Sequence, residues 1–536
     1  MLALFAPASP AAAAEPDALA TLNRIRYEAF ERSQVHAYAL ELADRYGPRL
    51  TNSPNHRASA EWVKGELEKI GLAGARIEPF DFGRGWSFGR CEVRMTSPAE
   101  VPLLALPKAW TPGTAGAVRG RAVRVDLETP ADLEAQRGKL AGTIVLLDAA
   151  GKGAEERAKL PVAERWSDTE LAEMLESKVP VERMGAWLKK LGKEWTFGRQ
   201  RDEFLVAEGV LATAEVSSRE NGVVRGDGSE FHRDPERPAG VPGLYFAAEP
   251  YQRILRLLAA DTAVELELEV DARFQDQDLR APNVVAELPG RDKSGEVVMT
   301  GAHLDSWHLG TGAVDDGAGV AVVMEAMRIL GRLGVAPRRT IRVALWGGEE
   351  QGLLGSRAWV ERHIVERDPV AAGAGDLSLP PAVRSLRAPF RAKGEHGKIS
   401  AYFNLDYGSG RIRGIYTLGN VAAGAVFEEW IRPLADLGVS TVTNNPIPIG
   451  GSDHSAFDRS GVPGFMFLQD PLDYFHLVHH SNLDTADHLR RDDLVQASIV
   501  VAHFLWEAAN RGALLPRKPM PEAALPGGSR PSASGR

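Results

Sequence analysis

Glu296-Val-Val-Met-Thr-Gly-Ala-His-Leu-Asp305 is a short apolar run ending in a histidine and an acid. It predicts a buried strand that delivers His303 and Asp305 at its carboxyl end. Asp315-Asp316-Gly317 follows and opens a helix, because Val320, Val323, Met324, Met327 and Leu330 recur at helical spacing. Thr340-Ile-Arg-Val-Ala-Leu-Trp346 predicts a second strand, closed by Gly347-Gly348-Glu349-Glu350. In open α/β sheets, ligands gather at the carboxyl ends of strands. A histidine, three aspartates and two glutamates at that edge make a hard anionic pocket with nothing positive beside it. Such a pocket needs a divalent cation.

Outward from this stretch, further strands are expected at Val284-Val-Ala-Glu-Leu, Ile399-Ser-Ala-Tyr-Phe-Asn-Leu and Gly464-Phe-Met-Phe-Leu, with helices at 425–437 and 493–510. Residues 16–71 read as helical, broken by Tyr46-Gly-Pro-Arg-Leu-Thr-Asn. Residues 76–95 alternate like a strand pair with Gly83, Gly85 and Gly89 as turns. The fold class is therefore an α/β/α sandwich with a mixed sheet. Between 101 and 280 the texture shifts to short Val- and Leu-rich strands, a charged helical stretch at 152–204 and a Gly-rich loop at 220–237. This predicts an inserted, mainly-β domain over 101–280, splitting a catalytic domain into 15–100 and 281–512. Residues 370–398 form a long polar excursion, and the tail 513–536 has too few apolar residues to fold.

Composition narrows the function classes. A net charge of -9 leaves no basic footprint for nucleic acid. Cys91 is the sole cysteine, so disulfides and multi-thiolate metal sites are excluded, and it reads as a small buried hydrophobe. Any metal must sit on imidazole and carboxylate. No run reaches the ~18–20 apolar residues of a membrane span. Residues 1–14 are Ala-rich, and Ala12-Ala13-Ala14 before Glu15 fits a signal-peptide cleavage site, which predicts export to periplasm or medium.

Asn404-Leu-Asp406 and His479-His480-Ser-Asn-Leu-Asp484-Thr add ligand candidates from other stretches. Taken singly, a Glu pair is a solvated turn, Asp-Asp-Gly a helix cap, and a lone histidine a satisfied hydrogen-bonding group. In combination and order, His303-Leu-Asp305-Ser-Trp, Gly312-Ala-Val-Asp315-Asp316-Gly-Ala-Gly, Trp346-Gly-Gly-Glu349-Glu350, Asn404-Leu-Asp406, Gly451-Ser-Asp-His454 and His480-Ser-Asn-Leu-Asp484-Thr resemble the dizinc exopeptidases. That family includes secreted bacterial leucyl aminopeptidases, glutamate carboxypeptidases and carboxypeptidase Q, and the double histidine looks most like the last branch. Leu140-Ala-Gly-Thr-Ile-Val-Leu-Leu and Val241-Pro-Gly-Leu-Tyr-Phe resemble the protease-associated domain of the same relatives.

The resemblance implies two Zn2+ ions, or other divalent metals, with Asp315 bridging them. His303 and Asp406 would complete one ion, and His480 and Glu350 the other. Glu349 would be the general base, Asp305 the carboxylate that orients His303, and His454 a group facing the substrate. A cis bond between Asp315 and Asp316 and a homodimer are also implied. The implied activity is hydrolysis of short peptides by an aminopeptidase or dipeptidase. A carboxypeptidase-type dipeptidase shares the same chemistry and would differ in the group gripping the substrate terminus. A single-zinc glutaminyl cyclase and a non-catalytic binding protein are the remaining alternatives, and the intact ligand set argues against both.

Overall fold

The computed structural model describes residues 18–147, 163–176, 192–334, 336–368, 388–447 and 451–520. The leader at 1–14, much of the charged stretch 152–204 and most of the excursion 370–398 lie outside the described residues.

The apolar run before His303 becomes the strand Lys293–His303, in the middle of an eight-stranded sheet. Across that sheet the order is 73–81, 280–288, 339–346, 293–303, 399–404, 464–469, 412–416 and 441–443. Lys293–His303 is parallel to both of its neighbours, Arg339–Trp346 and Ile399–Asn404, while the strand 280–288 runs antiparallel to 339–346. The sheet is mixed, as the sequence predicts.

The central strands are apolar on both faces because both faces are covered. Val298 and Ala302 enter one core with Leu22, Val63, Val323 and Phe504 from the helices Ala18–Arg32, Pro54–Lys69, Ala318–Arg332 and Arg491–Asn510. Val297 and Met299 enter the opposite core with Trp346, Trp359 and Phe457. There Tyr402 stacks on Phe457 at 4.2 Å between centroids, a contact worth ~0.5–1.5 kcal/mol beyond area burial. Three layers result, an α/β/α sandwich. His303 pairs with Trp346 and Gly301 with Asn404, so the segments carrying Asp305, Glu349 and Asp406 all leave from one sheet edge.

A second eight-stranded sheet is ordered 101–102, 85–97, 265–275, 118–124, 143–146, 212–216, 243–246 and 105–107. Two expectations change here. The strands Ala73–Asp81 and Gly85–Ser97 do not pair with each other: the first joins the catalytic sheet against 280–288, the second joins this sheet against 265–275. The junction between the two bodies therefore falls near Gly83 rather than at 100. The region expected to be mainly β also holds a parallel run, 118–124, 143–146, 212–216 and 243–246, backed by the amphipathic helix Ala248–Ala259. Cys91 is half-buried at the rim of this core, and burial pushes its thiol up to about 12.

The tail is a third correction. Its first part is pinned down: Leu515 N–H donates to Ser400 Oγ at 3.0 Å, and Arg517 donates to the carbonyls of His396 and Ile399 at 2.7 and 2.6 Å. Polar side chains anchor this segment, a signal that a count of apolar residues misses. Residues 521–536 lie outside the described set.

Candidate metal centre

His303 ends the central strand, buried at 1% exposure. Its Nδ1 lies 2.9 Å from the carbonyl oxygen of Asp305, which can only accept, so Nδ1 carries the proton and Nε2 presents a lone pair. That Nε2 stands 3.3 Å from Asp315 Oδ1 and 3.4 Å from Asp406 Oδ1. Asp305 was expected to orient His303 through its carboxylate. The carboxylate is farther off, at 3.7 Å, and the backbone oxygen does the orienting.

On the other side, His480 adopts a left-handed backbone, φ 57°. Its Nδ1 donates to Asp227 Oδ1 at 2.8 Å, again leaving Nε2 as the lone-pair nitrogen. Nε2 lies 3.0 Å from Glu350 Oε2 and 3.7 Å from Asp315 Oδ2. The two oxygens of Asp315 are thus shared between the two histidines. Two groups of closely spaced donors meet at this residue, His303–Asp315–Asp406 and Asp315–His479–His480, the donor atoms in each lying within 4.8 Å of one another. His479 stacks on His480 with ring centroids 3.8 Å apart.

The loops are held from below. The peptide between Asp315 and Asp316 is cis, as the resemblance implies. Asp316 turns away from the cluster, accepting from the His303 N–H at 3.2 Å and capping the following helix through Gly319 N–H at 3.1 Å. Asp305 accepts from Thr51 Oγ1 at 2.8 Å and from the backbone N–H groups of Glu349 and Glu350 at 3.2 and 3.4 Å, fixing the strand end that bears both glutamates. Asp484 accepts from the N–H of Val314 at 2.7 Å and so shapes the approach to Asp315. Arg49, fully buried, donates to the carbonyls of Leu304, Leu42, Thr311 and Gly312. Sequence reading took the Tyr46–Asn52 run only as a helix breaker, and it passed over Arg49, Thr51 and Asp227.

His454 is buried, its Nε2 3.4 Å from Ser455 Oγ. Burial lowers its pKa to about 3. Its neighbour Asp453 is fully buried, and burial raises its carboxyl to about 8. Trp307 and His308 pack beside the cluster. Trp307 lies over His480 at 5.9 Å and edge-on to Trp110 at 6.0 Å, and His308 Nε2 is 2.7 Å from the Pro107 carbonyl.

The donor set fits divalent metal. Atoms bound ~2.0–2.1 Å from one tetrahedral ion stand roughly 3.3 Å apart, close to the His303 separations of 3.3 and 3.4 Å and bracketed by the His480 separations of 3.0 and 3.7 Å. Asp315 Oδ2 and Glu350 Oε1 are buried without a hydrogen-bond partner. Burial and neighbouring carboxylates push Glu349 well above the ordinary range and Glu350 to about 7, the signature of acids crowded without a counter-cation.

Residues 283–505 match the family model described as Peptidase family M28. Mouse carboxypeptidase Q is 29% identical over 278 residues, 52% of this chain and 52% of the mouse protein, so the match spans about half the length of either. A solved Peptidase M28 precursor from Shewanella amazonensis superposes with a TM-score of 0.64 at 26% identity, covering 94% of this chain and 99% of the other. A zinc aminopeptidase from Bacillus subtilis shares the fold, with a TM-score of 0.53 at 17% identity over 89% and 95% of the two chains. The matched segment supplies His303, Asp315, Glu349, Glu350, Asp406 and His480. Arg49, Thr51 and Asp227 reach the same site from outside it.

Proposed function

We propose that the chain is a zinc-dependent exopeptidase that hydrolyses short peptides, as an aminopeptidase or dipeptidase. The observation carrying this reading is the division of Asp315, with Oδ1 toward His303 and Oδ2 toward His480. Its support is the match to Peptidase family M28 together with a donor set that suits two ions. His303 and Asp406 would hold one ion, His480 and Glu350 the other, and Asp315 would serve both. Bound there, zinc supplies a water acidified toward pKa ~7 and a polarised scissile carbonyl.

The protein's own groups do the rest. Glu349 accepts the proton of the attacking water and returns it to the leaving amine. Asp305 holds Glu349 and Glu350 in place by their backbone N–H groups, so that one glutamate is spent on binding while its neighbour stays free. Trp307 packs against the His480 ring and is itself backed by Trp110.

Carboxypeptidase-type cleavage is the second reading, favoured by Arg225. Its Nε is buried without a hydrogen-bond partner, and its charge bears on both Asp227 and His479. A cation so placed suits a substrate carboxylate. Zinc-loaded protein incubated with dipeptides blocked at either the amino or the carboxyl end separates the two directions. Loss of activity on chelation with recovery on zinc sets both apart from a binding protein, and no hydrolysis of any unblocked dipeptide refutes the exopeptidase reading. Among the described residues no helix is long and apolar enough to cross a membrane. Export and a homodimer complete the proposal, checked by the amino terminus of the mature protein and its mass in solution.

A further inference from the structure

The site is built by two bodies of the chain, and their join falls on a single imidazole. The loop bearing His480 is zipped to the segment 224–227 of the inserted region. Val224 N–H donates to Asn482 Oδ1 at 2.7 Å, Asn482 N–H returns a bond to the Val224 carbonyl at 3.0 Å, and Gly226 N–H donates to the His480 carbonyl at 3.2 Å. Asp227 then takes the His480 Nδ1–H at 2.8 Å, across 253 residues of sequence.

The position of Asp227 is itself fixed. A Cβ on Gly226 would stand 2.4 Å from the Tyr245 ring, and one on Gly228 2.6 Å from the Trp110 ring. Two glycines let the backbone lie close against both aromatics on either side of Asp227. His303 has no such arrangement: its Nδ1 is held by the backbone of its own strand end. One histidine is therefore oriented from within the matched segment, and the other from outside it.

We infer that Asp227 is a positioning residue for His480, so that the inserted region sets the affinity of one metal position and leaves the other to the catalytic sheet. This rests on the two-zinc reading above. A carboxylate on the far nitrogen fixes the tautomer and ring orientation and strengthens the metal-facing nitrogen, and removing such partners weakens metal binding ~10–100-fold. The two ions should then differ in dependence: the His480–Glu350 position follows Asp227, and the His303–Asp406 position does not.

The test is zinc affinity, measured on the full-length chain by chelator competition for wild type, Asp227→Ala, Asp227→Asn and Asp227→Glu. Melting temperatures of the metal-free proteins serve as the folding control. Wild type is expected to bind two ions. Asp227→Ala should keep one at wild-type affinity and weaken the other ~10–100-fold. Asp227→Asn, which retains an acceptor without charge, should fall between, and Asp227→Glu should recover part of the loss. If Asp227→Ala does not fold, the Asn variant decides the matter with the same assay. Both ions bound at wild-type affinity in the folded Ala or Asn variant, or both weakened equally, overturns the inference. Wild type that binds no zinc refutes instead the function it rests on.

Discussion

Thr51 donates its hydroxyl hydrogen to Oδ2 of Asp305 at 2.8 Å, joining residues 254 apart in sequence at the floor of the site. Both groups are buried, and Asp305 also receives the two glutamate N–H groups. Thr51→Val keeps the shape and leaves a carboxylate oxygen short of a donor, which costs ~1–3 kcal/mol. The variant should melt earlier and lose turnover, while Thr51→Ser recovers most of both. Thermal unfolding with a dipeptide assay checks it, and a Val variant matching wild type in both readouts denies the contact its role.

Glu349→Gln separates base from ligand. Zinc content should stay at the wild-type level, and kcat should fall ~10²–10⁴-fold with KM little changed. Glu350→Gln should instead lower zinc content. Metal analysis beside steady-state kinetics distinguishes the two, and a zinc-depleted Glu349→Gln would reverse the assigned roles.

Metal removal should make stability depend on pH. In the metal-free fold, burial and neighbouring carboxylates raise Asp453 and Asp484 to about 8, whereas in the unfolded chain they titrate near ~4. Between those values the folded state binds more protons than the unfolded one, so stability falls as pH rises through that window. Chelator-treated protein should melt progressively earlier from about pH 5 to about pH 8, and zinc should restore most of the loss at the upper end. A melting temperature of the metal-free protein that does not move with pH contradicts this.

Arg225→Gln tests the second reading of direction. If its guanidinium receives a substrate carboxylate, KM should rise about 10-fold or more for dipeptides with a free carboxyl end, since a charge-assisted bond is worth ~1.5–3 kcal/mol. Carboxamide dipeptides should be unaffected. Equal changes for both substrate sets assign Arg225 to structure alone.

The order of strands and the acids at their ends are legible in sequence because both are local. An apolar run such as Val297–Ala302 declares a buried strand, and His303 or Glu349 stands directly beyond it. What escapes is what distance conceals. Gly83, Gly85 and Gly89 suggest a hairpin, yet Gly85 pairs with Gln275 on a strand that no nearby residue announces. Arg49 looks like part of a turn because its acceptors, Leu304, Thr311 and Gly312, lie more than 250 residues on.

The guanidinium of Arg49 has a practical corollary for anyone excising the family-matched segment of this chain. A fragment cut to 283–505 would retain the candidate zinc donors, yet strip the carbonyls of Leu304, Thr311 and Gly312 of the donor that draws them inward. Recognisable ancestry and autonomous folding have different borders here, and the wider one begins among the amino-terminal helices.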